Sequence, residues 1–316
     1  MSERSRSATG STGASAHPPG RSERWGAWGA ISGPPTPPSR RPAARRGRRQ
    51  RFLAHLLAVV LLLLVSAPFL WLLGMSLKSN ADIFAMPPRL LFRPTAEHYV
   101  AVWHSEFPRA LWNSTVVSVL TTGLAMLIGV PGAFALSRGG VRATGRISLW
   151  ILATRMAPPI AFTLPFFLIY RHVGLLDTRT GLVLIYLTFN LSLVVWMMRS
   201  FFDATARSLD EAAWIDGAGI WDTFLRINLP LAAPGLAATA VFCFLFSWND
   251  FFFALILTRT RAVTAPVAVV NFLNYEGWEW GKIAAAGTMV MLPVLVFSVL
   301  VRRYLVRGLT AGAIKG

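Results

Sequence analysis

The feature that most restricts the possible folds is a run of 23 residues without a formal charge, from Phe52 to Gly74. A helix of that length reaches roughly 34 Å, which is enough to cross the hydrocarbon core of a bilayer. The run exceeds the apolar core of a secretory signal, so we interpret it as a retained helix. Five more apolar runs follow, at about Leu111–Ser137, Ile147–Tyr170, Gly181–Met198, Gly235–Leu257 and Ile283–Val301. The sequence therefore predicts an all-α integral membrane protein with six transmembrane helices.

The composition agrees with a membrane protein and argues against soluble domains. Hydrophobic residues make up 54% of the chain and charged residues 14%, whereas soluble domains carry about 25% charged residues. The single cysteine, Cys243, excludes an internal disulfide. The five histidines lack a metal-binding spacing, and the sequence has no glycine-rich phosphate loop. We therefore expect no bound metal or cofactor and no enzymatic activity in this chain.

Residues 1–50 differ in composition from the rest, and we expect them to form a disordered cytoplasmic tail. They are rich in Ser, Gly, Pro and Arg and have no periodic apolar face. Seven arginines lie from Arg40 to Arg51, directly beside the first apolar run. This position favours membrane lipid as the partner over nucleic acid, which is the alternative for a basic arm. Residues 51–316 form the predicted transmembrane domain.

The distribution of basic residues predicts the orientation of the chain. With the N-terminus in the cytoplasm, the inside segments carry 21 Lys and Arg residues and the outside segments carry 9. Because cytoplasmic loops hold the excess of positive charge, we expect both termini to be cytoplasmic. Without the tail the two numbers are 10 and 9, so this prediction depends mainly on the first helix.

The longest inside connection, about residues 199–234, is the most informative segment. Ser208 and Glu211 have the spacing of a capping box, and Gly217 is a natural helix stop, which together predict one short helix. A second short helix is predicted with an apolar face and an i,i+4 pair of Asp222 and Arg226; that face contains Ile220, Trp221, Phe224 and Leu225. Such a helix at a membrane surface can dock into a groove of a soluble partner, or it can be an ordinary interfacial helix.

At these residues the sequence resembles a known family. Glu211, Ala212 and Ala213, then Gly217, then Ile227, Leu229 and Pro230 match the EAA signature of bacterial ATP-binding-cassette (ABC) importer permeases. The carbohydrate-type branch, which includes the smaller permease of the maltose transporter, is similar in five more segments: Asn113-Ser114, Arg155–Pro159, Gly174–Thr178, Ser247–Asp250 and Gly308–Gly316. The resemblance covers about residues 52–316. We refer to residues 199–234 as the EAA loop.

The resemblance implies a type I ABC importer permease fold in the bacterial inner membrane. It implies a coupling helix at about Leu209–Gly219, including Asp216, seated in a cleft of a cytoplasmic ATPase, with Glu211 paired to a basic residue there. It also implies a heterodimer with a sister permease, two ATPase subunits that use ATP and Mg, and an extracytoplasmic solute-binding protein. ATP hydrolysis by the ATPases would drive alternating access for a sugar.

Four residues are candidates for the substrate path. Asp250 falls roughly 6 Å beyond the centre of the predicted fifth helix, where an ionisable group is costly and usually faces a cavity or a partner. Trp248 could stack on a sugar ring and Asn249 could bond its hydroxyls, whereas the alternative is a packing role for all three. Arg155 lies beside Pro158 and Pro159, which interrupt the third helix as a kink or as a break lining the pathway.

Other functions stay open at this point. The same type of permease could carry a polyol, a glycerol phosphate or an osmolyte. A channel or membrane enzyme outside the ABC class is a more distant alternative.

Overall fold

The structure is a computed structural model that describes residues 48–139, 144–156, 158–274 and 277–313. Of the predicted tail, residues 1–47 lie outside this range, and residues 48–50 belong to the first helix. The described residues form helices, one π-helical turn at Phe224–Asn228, and a hairpin of the two-residue strands β1 (Leu273–Asn274) and β2 (Gly277–Trp278). In chain order the helices are α1 (Arg48–Ser76), α2 (Asn80–Ile83), α3 (Glu97–Trp103), α4 (Phe107–Arg138), α5 (Thr144–Met156), α6 (Pro159–His172), α7 (Arg179–Ala204), α8 (Arg207–Ile215), α9 (Ile220–Thr223), α10 (Leu229–Leu231), α11 (Ala233–Trp248), α12 (Phe252–Leu257), α13 (Ala265–Val270) and α14 (Trp280–Ala313).

The chain divides into two units, Met1–Leu62 and Leu63–Gly316. In the first unit, the described residues 48–62 are helical and their apolar side chains are exposed. All contacts discussed below lie in the second unit.

Four helices in the described ranges have the length and hydropathy to cross a membrane. They are Gln50–Ser76, Phe107–Arg138, Arg179–Ala204 and Trp280–Val299, with mean hydropathies of 2.8, 1.9, 2.0 and 1.9. A fifth is added if Ile220–Leu231 and Ala233–Trp248, which meet at 78°, form one broken span. The all-helical membrane fold is confirmed for this part of the chain, and the count of six spans stays a prediction.

The predicted third and fifth spans are each divided into two helices. In the third, α5 ends at Met156 and α6 begins at Pro159, because Pro158 precedes another proline and is held in an extended conformation. In the fifth, the prediction of one helix over Gly235–Leu257 is wrong. There α11 ends at Trp248, and the Asp250 carboxylate accepts the N–H groups of Phe253 and Ala254 at the start of α12. A side chain that bonds backbone donors in this way competes with continuation of the helix.

Helices α4, α7 and α11 form the central packing of the second unit, with α4 and α7 running in the same direction. Their beginnings are joined by Arg179, whose Nε donates to Asn113 Oδ1 at 2.7 Å. Their ends are joined by Ser137, whose hydroxyl donates to Asp203 Oδ1 at 2.5 Å. We call the side where α4 and α7 end the EAA side, because the EAA loop follows α7 there, and the other the opposite side.

Candidate functional site

The first helix of the EAA loop, α8, ends in a Schellman motif. The N–H of Ala218 donates to Ala213 O at 2.9 Å, and the N–H of Gly217 donates to Trp214 O at 3.1 Å. Gly217 has a φ of +85°, which a residue with a Cβ rarely adopts. The predicted helix stop at Gly217 is therefore confirmed.

The predicted start of α8 is wrong by two residues. Ala206, and not Ser208, is the N-cap residue, and no side chain caps this helix. Ser208 thus lies inside the first turn, where it cannot form the predicted capping box with Glu211. The helix is instead bonded to the rest of the chain through Asp210, as described below, and such tertiary contacts override local sequence signals.

Adjacent acidic residues of α8 point in opposite directions. Asp210 is 1% exposed, whereas Glu211 is exposed. The same loop exposes four large apolar side chains, which are Trp214, Ile215 (87% exposed), Ile220 and Trp221. The loop therefore presents an acidic and apolar surface, which we call the coupling surface.

The other residues of the EAA signature are spread over both faces of the loop. Ala212 is exposed and Ala213 is buried, so only Ala212 is available to a partner. Asp216 is the exposed C-cap residue of α8. Later in the loop, Ile227 and Leu229 are half-buried and Pro230 is exposed.

The second half of the loop only partly follows the predicted pattern. The ion pair of Asp222 and Arg226 is confirmed, with Oδ1 and the guanidinium 3.3 Å apart. The predicted single apolar face is wrong, because Phe224 is 4% exposed and its ring lies 4.9 Å from that of Phe134, whereas the other members of the face are exposed. Those members are Ile220, Trp221 and Leu225.

A buried polar cluster lies beneath α8, and sequence reasoning missed it. Arg138 Nε and Asp210 Oδ2 lie 2.6 Å apart, with side chains 6% and 2% exposed. Asn228 donates from Nδ2 to Asp210 Oδ1 at 2.6 Å, and Arg138 also donates to Thr205 O at 2.9 Å. Two features of the sequence could have indicated this cluster. One is an arginine at the end of an apolar run, and the other is an acidic residue directly before the EAA signature.

The predicted substrate-path residues do not share one role. Trp248 is 2% exposed, its Nε1 donates to Val290 O at 3.1 Å, and its ring stacks on Phe244 with centroids 5.5 Å apart. These contacts favour the packing alternative for Trp248. Asn249 donates to Leu245 O within its own helix end. Arg155 lies in α5, and its side chain is outside the described residues, so its role stays a prediction.

Asp250 lines a cavity of about 200 Å³ at the break between α11 and α12. Asn190 and Ser247 lie in the same lining and are joined by a hydrogen bond of 2.8 Å, and Tyr186 also lines the cavity. The remaining lining is mostly aromatic, formed by Phe189, Phe246 and Phe253, together with Pro159 from the break in the third predicted span. The prediction omitted Tyr186 and Asn190 because both belong to a different apolar run.

On the opposite side, Asp177 fixes the segment that follows α12. Its carboxylate accepts the N–H groups of Arg259, Arg261 and Ala262 at 3.0–3.1 Å. Partial burial raises the pKa of Asp177, but these backbone hydrogen bonds outweigh it and hold the pKa well below its usual range. Asn113 adds bonds from Nδ2 to the carbonyl oxygens of Arg261 and Val263 at 3.0 and 2.8 Å. Two of the family-like segments therefore meet at one loop.

Comparison with known protein families shows to which family a chain with these features belongs. The sequence model of a family described as "Binding-protein-dependent transport system inner membrane component" matches residues 125–310. The chain belongs to this family. The match includes the EAA loop, the buried cluster and the cavity at Asp250, so this chain is a multi-pass permease of the ABC transporter class.

Individual proteins extend the similarity over most of the permease. The trehalose transport system permease protein SugB of Mycobacterium tuberculosis is 36% identical over 256 residues, which cover 79% of this chain and 92% of that protein. The trehalose/maltose transport system permease protein MalG of Thermococcus litoralis is 33% identical over 272 residues, covering 84% and 98%. A chain in the crystal structure of a bacterial ABC transporter involved in alginate import matches with a TM-score of 0.67 and 27% identity, covering 81% of this chain and 98% of that chain.

Proposed function

We propose that this permease is the membrane-spanning subunit of an ATP-driven, binding-protein-dependent importer that carries a sugar across the bacterial inner membrane. Its family consists of inner membrane components of binding-protein-dependent transport systems. The two permeases compared above are named for trehalose or for trehalose and maltose, and each similarity covers more than three quarters of this chain. These names support a sugar as the transported solute.

The observation that carries the proposal is the coupling surface of the EAA loop. Glu211 stands on a short helix whose other face is bonded to the chain through Asp210, so the backbone that carries it is held in place. Exposed Trp214 and Ile215 lie beside it, and burial of such side chains in a groove is the usual way in which a helix docks onto a soluble protein. An ATPase subunit with a basic residue in an apolar cleft would complement this surface.

The proposed assembly contains a sister permease, two cytoplasmic ABC ATPases and an extracytoplasmic solute-binding protein. In it, the chain has six spans with both termini in the cytoplasm, of which α5 with α6 and α11 with α12 are broken spans. The ATPases use ATP and Mg²⁺, and this chain binds no cofactor. Closure of the ATPases would move the EAA loops of the two permeases and switch the spans between inward and outward access.

The cavity at Asp250 supports a neutral, hydroxyl-bearing solute. Carboxylate, amide and hydroxyl groups of Asp250, Asn190 and Ser247 can bond sugar hydroxyls, and the aromatic walls can contact the apolar face of a ring. A polyol or an uncharged osmolyte would satisfy the same groups. A glycerol phosphate is disfavoured, because its negative charge would meet the Asp250 carboxylate.

The experiment is a comparison of Glu211→Ala with the unaltered chain in cells and membranes that contain the whole importer. We expect the variant to insert normally, to lose ATPase subunits on purification, and to take up radiolabelled trehalose or maltose at a rate at least about tenfold lower. Glu106→Ala is the matched control, since it removes an exposed carboxylate at the other end of α4. It should leave co-purification of the ATPase unchanged.

Two results would contradict the role of this chain in sugar import. Transport by Glu211→Ala at the rate of the unaltered chain, in a fully assembled complex, would exclude the coupling role of Glu211. Uptake of labelled sorbitol or glycine betaine by the unaltered importer, with no uptake of either sugar, would show that the transported solute is a polyol or an osmolyte and not a sugar.

A further inference from the structure

The ion pair of Arg138 and Asp210 connects the EAA loop to a membrane helix. Arg138 is the last residue of α4, and Asp210 lies in α8, the helix that carries Glu211 on its exposed face. The two charged atoms are 2.6 Å apart, and both side chains are almost fully removed from solvent. Breaking a buried pair leaves uncompensated charge, so this contact resists separation far more than an exposed pair does.

Further bonds fix the direction of the pair. Asn228 is fully buried, and its amide group donates to Asp210 at 2.6 Å and to Thr223 O at 3.3 Å. The Arg138 guanidinium also donates to Thr205 O at 2.9 Å. Directed bonds from several segments prevent the sliding that apolar contacts allow, so α8 and the end of α4 are held as one body.

A second set of bonds continues from the end of α4 to α5. Ser137, next to Arg138, donates to Asp203 at 2.5 Å, and Asp203 pairs with Arg199 at 3.3 Å. Arg199 in turn donates to the Ser148 hydroxyl and to Thr144 O, both in α5. Helix α5 precedes α6, whose first residue, Pro159, lines the cavity at Asp250. These contacts therefore connect the coupling helix to the ends of α4 and α7 and to the start of α5, the first half of the broken span whose second half reaches the candidate substrate cavity.

We propose that Arg138, Asp210 and Asn228 are positioning residues that transmit displacement of the coupling helix to α4 and α5. This inference rests on the proposed function and assigns different roles to two adjacent residues of α8. Glu211 holds the ATPase subunit, whereas its neighbour Asp210 holds the membrane helix. Loss of the internal link should therefore separate ATP hydrolysis from transport without releasing the ATPase.

The experiment measures labelled sugar transported per ATP hydrolysed in proteoliposomes that contain the complete importer. We expect Asp210→Asn and Arg138→Gln each to keep the ATPase subunits bound and hydrolysing ATP, while the ratio of transport to hydrolysis falls at least about tenfold. The double variant should be no worse than either single variant, because the same link is already broken. Arg138→Lys, which keeps the charge, should recover much of the ratio.

Two further variants protect the experiment against simple loss of folding. Asn228→Ala leaves the ion pair in place and should still lower the ratio, by a smaller factor than Asp210→Asn. Asp222→Ala removes an exposed ion pair of the same loop and should leave the ratio unchanged, since its partner Arg226 is 81% exposed.

The outcomes separate this inference from the proposed function. It is overturned if Asp210→Asn or Asn228→Ala assembles and keeps the normal ratio of transport to hydrolysis. It is overturned as well if the effects of Asp210→Asn and Arg138→Gln multiply in the double variant. A fall of the ratio in Asp222→Ala as large as in Asp210→Asn would also overturn it. It is also overturned if every variant loses ATPase binding in parallel with transport, as a purely structural role requires. Failure of the proposed function appears differently, as an unaltered importer whose transport does not depend on ATP or on Glu211.

Discussion

Helices α4 and α7 approach each other closely at Gly129, and this contact allows a quantitative prediction. A Cβ added at Gly129 would lie 2.7 Å from Val194 Cγ1 and 2.9 Å from Val194 Cβ. Carbon atoms in favourable contact are about 3.5–4.0 Å apart, so Gly129→Ala requires a shift of roughly 1 Å. Val194 is fully buried, and its branched side chain has one preferred rotamer in a helix, so it cannot rotate away.

The helices themselves must therefore separate, at a cost of about 1–3 kcal/mol for an overpacked contact. At about 2.1 cal/mol/K per residue, the unfolding entropy of a chain of 316 residues makes each kcal/mol lower the Tm by about 1.5 °C. We expect Gly129→Ala, purified in detergent and followed by thermal unfolding, to melt roughly 3 °C below the unaltered chain for a cost near 2 kcal/mol. Membrane helices associate through close packing of small residues, which makes this contact sensitive.

The matched control is Gly132→Ala in the same helix. Its Cβ would meet no atom within 4 Å, so the variant should keep or slightly raise the Tm through helix propensity. The double variant Gly129→Ala with Val194→Ala should be less destabilised than the sum of the two single effects, because the clash with Cγ1 is removed and only the contact with Cβ at 2.9 Å remains. An unchanged Tm for Gly129→Ala, or additive effects in the double variant, would refute the close approach of α4 and α7.

Two other predictions concern single residues in loops. Because the pKa of Asp177 is lowered in the folded protein, its contribution to stability is complete above about pH 5, begins to fall near pH 4, the value for an unfolded aspartate, and is lost progressively as the pH falls further toward the lowered folded-state value. The difference in Tm between the unaltered chain and Asp177→Asn should shrink as the pH is lowered below about 4, and a constant difference would contradict the assignment. Gly217→Ala meets no steric contact but forces a side chain to a φ of +85°, so it should destabilise the end of α8 by about 1–2 kcal/mol, read as faster hydrogen exchange at Ala218, while exchange in α11 stays unchanged.

Features that depend on local sequence were predictable. The apolar runs gave the long helices α1, α4, α7 and α14, because the length and hydropathy of a span are local properties. The stop at Gly217 and the pair of Asp222 and Arg226 follow from backbone freedom and from helical spacing, which also need no knowledge of the fold.

Features that depend on tertiary contacts were not predictable in the same way. Local sequence does not show which of Asp210 and Glu211 is buried, because the partners of Asp210, Arg138 and Asn228, come from distant parts of the chain. The break at Asp250 was missed because hydropathy counts the residue as a cost within a helix, whereas the carboxylate stabilises the start of the next helix. The cavity joins residues of separate apolar runs, and their proximity is a property of the packed helices.

The π-helical turn at Phe224–Asn228 gives the EAA loop a fixed length. Such a turn holds one residue more than an α-helical turn, and here it lets Phe224 reach the aromatic core while Asn228 reaches Asp210. Deleting one residue between Gly217 and Ile227 would rotate everything downstream by about 100° and carry the Asn228 amide away from its acceptor. The number of residues between Gly217 and Ile227 therefore sets both the distance along the loop and the rotation of the residues that follow.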